Sequence, residues 1–151
     1  MRFLTLAFVL TSASAFACPD LSGTYAACRS TTGSSAGSSE IVVSQSIDAD
    51  GITTYVMTST GDEAHERKTE SVVVNGIPVS ETDESQGFPI TFTSVATCTG
   101  DESLDLNGNI KVQGQDMVTV LIQVTKANGV MTQTFTGSIM GQDVSDVQNC
   151  Q

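Results

Sequence analysis

Phe88-Pro89-Ile90-Thr91-Phe92-Thr93-Ser94-Val95-Ala96-Thr97-Cys98 alternates almost without fault. Phe88, Ile90, Phe92, Ser94, Ala96 and Cys98 share one parity. Pro89, Thr91, Thr93 and Thr97 share the other, and only Val95 is out of place. Successive side chains of a strand point to opposite faces, so this period of two predicts a strand with one buried face. The pattern returns downstream: Val118, Val120, Ile122 and Val124 fall on one parity. In residues 130–140, Met131, Phe135 and Ile139 alternate with Thr132, Thr134, Thr136 and Ser138. No stretch beyond residue 17 sustains a helical period.

Turn chemistry separates one alternating run from the next. Asp50-Gly51, Asn75-Gly76, Asn107-Gly108 and Asn128-Gly129 are pairs that tolerate the positive φ of a type I′ hairpin turn. They predict hairpins between residues 40–47 and 52–59, between 71–74 and 77–79, between 104–106 and 110–112, and between 118–124 and 130–140. Pro78 cannot donate to a ladder, so its strand is expected to be short or at an edge. Residues 21–28 read as the first strand, 30–39 as a flexible Ser/Thr/Gly/Ala loop, and 81–87 as an acidic loop. The tail from Gly141 reads as polar and pinned by Cys150. Turn signals recur every ~8–15 residues, which points to an all-β chain. The expected architecture is an antiparallel up-and-down meander barrel of about eight to ten strands, because closure removes exposed edges. The alternative is a β-sandwich, which needs longer crossovers.

The N-terminus reads differently. Met1-Arg2 is a short positive start, residues 3–10 are apolar, and Ala15-Phe16-Ala17 places small residues at −3 and −1 before Cys18. This is the pattern of a cleaved signal peptide over residues 1–17, leaving one domain at 18–151 that is secreted or periplasmic. A cysteine just after the cleavage point also fits the lesser alternative of a lipid anchor on Cys18. No run approaches the ~20 apolar residues of a membrane-spanning helix. Without Arg2 the balance is 5 Lys+Arg against 17 Asp+Glu, a net −12. That charge argues against nucleic acid or an anionic membrane as partner.

Four cysteines in an exported chain imply two disulfides. Cys18 and Cys28 lie at opposite ends of the first strand, ~20 Å apart, beyond the ~7 Å reach of a disulfide between Cα atoms. Two pairings then remain. Strand counting favours Cys18–Cys98 with Cys28–Cys150, because Cys98 ends an even-numbered strand and so returns to the end where the first began.

Catalytic signatures are absent. The single histidine, His65, stands in Asp62-Glu63-Ala64-His65-Glu66, which offers too few ligands for a closed metal site. Asp105-Leu106-Asn107-Gly108-Asn109, with Asp116 at the twelfth position, has Ile110 where a calcium loop needs glycine. No serine has a nucleophile-elbow context. The expectation is a protein that is not an enzyme and holds neither metal nor cofactor.

Cys18-Pro19-Asp20-Leu21-Ser22-Gly23-Thr24-Tyr25 resembles the opening of the calycin group, the lipocalins, fatty-acid-binding proteins and avidins. Tyr25 stands where those chains usually carry the Trp that plugs the closed end. The resemblance implies a barrel whose interior holds a small hydrophobic ligand. It also implies either an avidin-like bridge from Cys18 to Cys98 or a lipocalin-like one from Cys98 to Cys150. Tyr55, Met57, Phe88, Phe92, Val120, Ile122, Met131 and Phe135 are the candidate lining residues. The alternative function is a ligand-free interaction module (adhesin, inhibitor or envelope component) whose acidic loops, with Glu81, Asp83 and Glu84, contact a basic protein surface.

Overall fold

The computed structural model describes residues 18–31, 40–60, 67–85 and 87–151. Among these it is all-β, and no helix is long and apolar enough to cross a membrane. The strands are β1 (Gly23–Tyr25), β2 (Cys28–Ser30), β3 (Glu40–Ile47), β4 (Thr53–Thr60), β5 (Arg67–Val74), β6 (Val79–Asp83), β7 (Ile90–Thr99), β8 (Ser103–Val112), β9 (Gln115–Ala127), β10 (Val130–Ile139) and β11 (Gln142–Cys150). They form two antiparallel sheets, one ordered β1-β3-β4-β5 and the other β2-β11-β10-β9-β8-β7-β6.

The order is that of a meander, yet the expected barrel does not close. β5 pairs with β4 and β6 pairs with β7, but no ladder joins β5 to β6. The sandwich alternative is therefore the better description, with one open seam. At the other junction the sheets share a bent first strand. β1 pairs with β3 and β2 with β11. In the break between them, the N–H groups of Ala26 and Ala27 both donate to the Gln151 carbonyl (2.6 and 3.2 Å). Counted as one strand, β1 and β2 make β7 the sixth, so Cys98 returns to the starting end.

Both sheets supply the core. Tyr25, Val43 and Tyr55 from the smaller sheet pack with Leu104, Val124, Met131 and Cys150 from the larger one. On the larger sheet these residues share the parity of the row Cys98↔Leu104↔Val124, which fixes its inner face. Tyr25 and Tyr55 are 2% and 0% exposed, and each phenol finds a carbonyl. Tyr25 Oη donates to Leu21 O (2.8 Å) and Tyr55 Oη to Pro19 O (2.6 Å). A buried hydroxyl left unpaired would cost about 1–3 kcal/mol, so these bonds are what let two phenols fill an apolar end. Disulfides join Cys18 to Cys98 and Cys28 to Cys150. The second links direct cross-strand partners of β2 and β11.

Several local expectations are corrected. Type I′ geometry requires positive φ at both turn residues. It occurs at Gln113-Gly114 (52°, 82°), Asn128-Gly129 (53°, 80°) and Met140-Gly141 (52°, 80°). Only the Asn128-Gly129 pair was legible as such in the sequence. At Asp50-Gly51 the hairpin forms around a longer loop, in which Asp48 Oδ1 accepts the N–H groups of Asp50 and Ile52 (3.0 and 2.9 Å). Asn107-Gly108 is not a turn at all: β8 runs straight through it. A Cβ on Gly108 would come within 2.9 Å of Val120 Cγ1, so this glycine serves packing. The expected acidic loop begins late, because Glu81, Thr82 and Asp83 belong to β6. The tail from Gly141 supplies a full strand, β11. The Ser/Thr/Gly/Ala loop beyond Thr31 and the His65 segment lie outside the described residues.

Candidate functional site: an apolar cleft at the open seam

The seam lies beside one turn. Asn75-Gly76 has the same composition as Asn128-Gly129, but only Gly76 is left-handed (φ 67°). Asn75 Oδ1 accepts the N–H of Ile77 (2.9 Å), and the Gly76 N–H goes to Ala96 O on β7 (3.2 Å). The turn is thus held against β7, and β5 departs from β6. The expected hairpin between residues 71–74 and 77–79 is not made.

Below the seam the inner faces leave a cleft of about 420 Å³. Val72 stands on one wall and Val79 on the other, with Ala96, Leu106, Val120 and Ile122 as the floor. Ser94, on the inner parity, and Asn75, in the turn, add polar groups, and no charged side chain lines it. The space has a sequence cause. One cross-strand row of the larger sheet reads Ser94↔Gly108↔Val120↔Gly137, so three of its four positions carry little or no side chain. The next row but one, Cys98↔Leu104↔Val124, is bulky and closes the bottom. Size and lining match those of small-molecule sites, which are mostly apolar, ~300–1,000 Å³, with a few polar groups.

Charged side chains stand farther along β5 and β6, outside the cleft lining. Lys68 Nζ lies 2.5 Å from Glu70 Oε1 on β5. The hydrogen bond to Glu70, and then its charge, hold the lysine above its ordinary pKa. On β6, Asp83 accepts the backbone N–H and hydroxyl of Ser85 (2.8 and 3.0 Å), which keeps its carboxyl below the usual range. Deeper in, burial pushes the Tyr55 phenol up to about 12, with the Asp20 carboxylate adding to the shift.

The sequence candidates separate into three groups. Val120 and Ile122 line the cleft. Tyr55 and Met131 are fully buried in the packed end, and Met57 packs half-buried against that core. Phe135 is half-buried in the row Ala96↔Leu106↔Ile122↔Phe135, whereas Phe92 (44% exposed) and Phe88 (37%) stand outside the cleft. Sequence reading missed Val72, Val79, Ala96 and Leu106. Parity was the signal for Ala96 and Leu106, in residues 88–98 and in Leu104-Asp105-Leu106.

A second hollow, of about 440 Å³, includes Thr93, Asn107, Asn109, Thr119, Leu121 and Thr136 of the outer face. Asn109 donates to Asp116 (2.9 Å) while its Oδ1 is buried without a partner among the described residues. Asp105 instead accepts from Thr99, Ser103 and Gln123, at 2.7, 3.0 and 3.2 Å. Among the described residues no three His, Cys, Asp or Glu side chains gather around a point that would hold a metal ion.

Comparison gives no relative. No protein-family model, curated protein or solved structure matches this chain.

Proposed function

We propose that the protein is an exported carrier or sensor that binds a small, uncharged, largely apolar molecule in the seam cleft. The observation that carries this reading is the cleft itself: an inner-face space floored by Leu106, Val120 and Ile122, free of charged lining. Such a site favours an apolar guest, since each Å² of apolar surface removed from water contributes about 25 cal/mol. Its lack of counter-charges disfavours an ionised one. Four cysteines committed to two disulfides indicate an oxidising extracellular or periplasmic environment. The signal pattern of residues 1–17 supports export to it.

The test is a fluorescence titration with neutral N-phenyl-1-naphthylamine. Saturable binding that weakens about thirtyfold in a Val120→Thr/Ile122→Thr variant is the expected result, each of the two hydroxyls desolvating at a cost of about 1 kcal/mol. Val147→Thr, outside the cleft lining, serves as the control. Absence of saturable binding, or equal weakening by the control, would count against the reading.

A further inference from the structure

The seam looks unfinished in a specific way. A two-residue hairpin at Asn75-Gly76 would place Val74 opposite Ile77 and set one register for the rest of β5 and β6. In that register Val72 meets Val79, Ser71 meets Ser80, Thr69 meets Thr82, Lys68 meets Asp83 and Arg67 meets Glu84. Apolar faces apolar, hydroxyl faces hydroxyl, and both cations face carboxylates. Such cross-strand pairs are the units that stabilise a sheet. Pro78 fits as well, because opposite Val73 it falls at a non-hydrogen-bonded pair, where the ladder asks nothing of its missing N–H.

The neighbouring ladders are already in phase with this register. Thr58 bonds Thr69 through their hydroxyls (3.1 Å), and Thr82 bonds Thr91 (3.1 Å). Pairing Thr69 with Thr82 would join them into one outer row, Thr58-Thr69-Thr82-Thr91. On the inner face Tyr55↔Val72 and Val79↔Ser94 are existing pairs, and Val72 against Val79 would connect them too. One pair opposes closure. Glu70 would face Glu81, and Glu70 now holds Lys68 within its own strand.

We propose that β5 and β6 form a gate. They zip into this antiparallel ladder to close the barrel over the cleft, and they part at the seam to admit the ligand. Val72 and Val79 are walls of the cleft in the open form, so closure removes the opening between them. The gating role rests on the cleft being the binding site; the ladder itself does not.

Ser71→Cys/Ser80→Cys tests it. The four native cysteines are already paired, and positions 71 and 80 are exposed and would form a non-hydrogen-bonded pair. Cα atoms in such a pair lie ~4.5 Å apart, within disulfide reach. Under mild oxidation this pair is expected to cross-link at least tenfold faster than Ser71→Cys/Thr82→Cys, which is two residues out of register. Adding Glu81→Gln should speed it about threefold, by relieving the like-charge pair. The cross-linked form should take up N-phenyl-1-naphthylamine at least tenfold more slowly than the same variant alkylated with the gate free. Equal cross-linking of both pairs, or none, would overturn the ladder. Cross-linking that leaves probe entry unchanged would overturn the gate. Failure of the probe to bind either form would remove the cleft reading and the gate with it, while the relative cross-linking rates would still decide the ladder.

Discussion

Tyr55 on β4 donates its phenol proton to the carbonyl of Pro19 at 2.6 Å, fastening the smaller sheet to the segment that precedes β1. Both partners are buried, and Cys18, next to Pro19, is bridged to Cys98 on β7. This end of the molecule is therefore tied by a hydrogen bond to one sheet and a disulfide to the other. Tyr55→Phe keeps the volume and removes the bond, leaving a buried carbonyl without its donor. We expect a loss of about 1–2 kcal/mol in urea unfolding, with little change in slope.

The same phenol predicts an alkaline response. Its folded pKa, about 12, lies above the ordinary value of 10.0. The stability it contributes is thus fully present below pH 10 and lost as pH rises toward 12. The chain has only two tyrosines and no tryptophan, so phenolate absorbance follows this directly. A component titrating near pH 12 should be present in the native protein and missing in Tyr55→Phe. Its persistence in the variant would assign it elsewhere.

Gly137 is predicted to be intolerant of any side chain. A Cβ there would run into the backbone carbonyl of Thr119, whereas at Gly108 it would meet only the methyl tip of Val120. Backbone cannot yield as a valine rotamer can. Gly137→Ala should cost about 2 kcal/mol or more, and Gly108→Ala about half that or less, by thermal or urea unfolding. The reverse ranking would mean that the row Ser94↔Gly108↔Val120↔Gly137 does not make the close approach described.

Replacing Cys28 and Cys150 together with serine opens a link of sequence separation 122. A loss of about 2–5 kcal/mol is expected. Hydrogen exchange should rise first at Ala26, Ala27 and Gln151, whose mutual backbone bonds adjoin the bridge. Faster exchange confined to the β9–β10 hairpin instead would show that the bridge does not hold the bent strand.

Much of this was legible in the chain, for identifiable reasons. Parity in residues 88–98 and 118–124 survives into β7 and β9, because a buried face imposes it whatever the neighbours are. Even Val95 keeps phase, half-buried on the outer face. The turns were less legible, since an Asn-Gly pair has more than one stable outcome. Asn128 goes left-handed and closes a hairpin, Asn75 caps its own turn, and Asn107 is extended within β8. The open seam lies beside the Asn75 turn, whose conformation no periodicity reports. For the site, parity puts Phe88 and Phe92 on the apolar face, but the cleft is defined by small residues in one cross-strand row. Rows become visible only once register is known.

If the cleft floored by Leu106, Val120 and Ile122 holds an apolar guest, methyl-resolved NMR during titration with N-phenyl-1-naphthylamine reads the contact at those side chains. The expected result is saturable shifts at Val72, Val79, Leu106, Val120 and Ile122, with Val147 unmoved. Shifts confined to residues outside the cleft lining, or none at saturating probe, would contradict it.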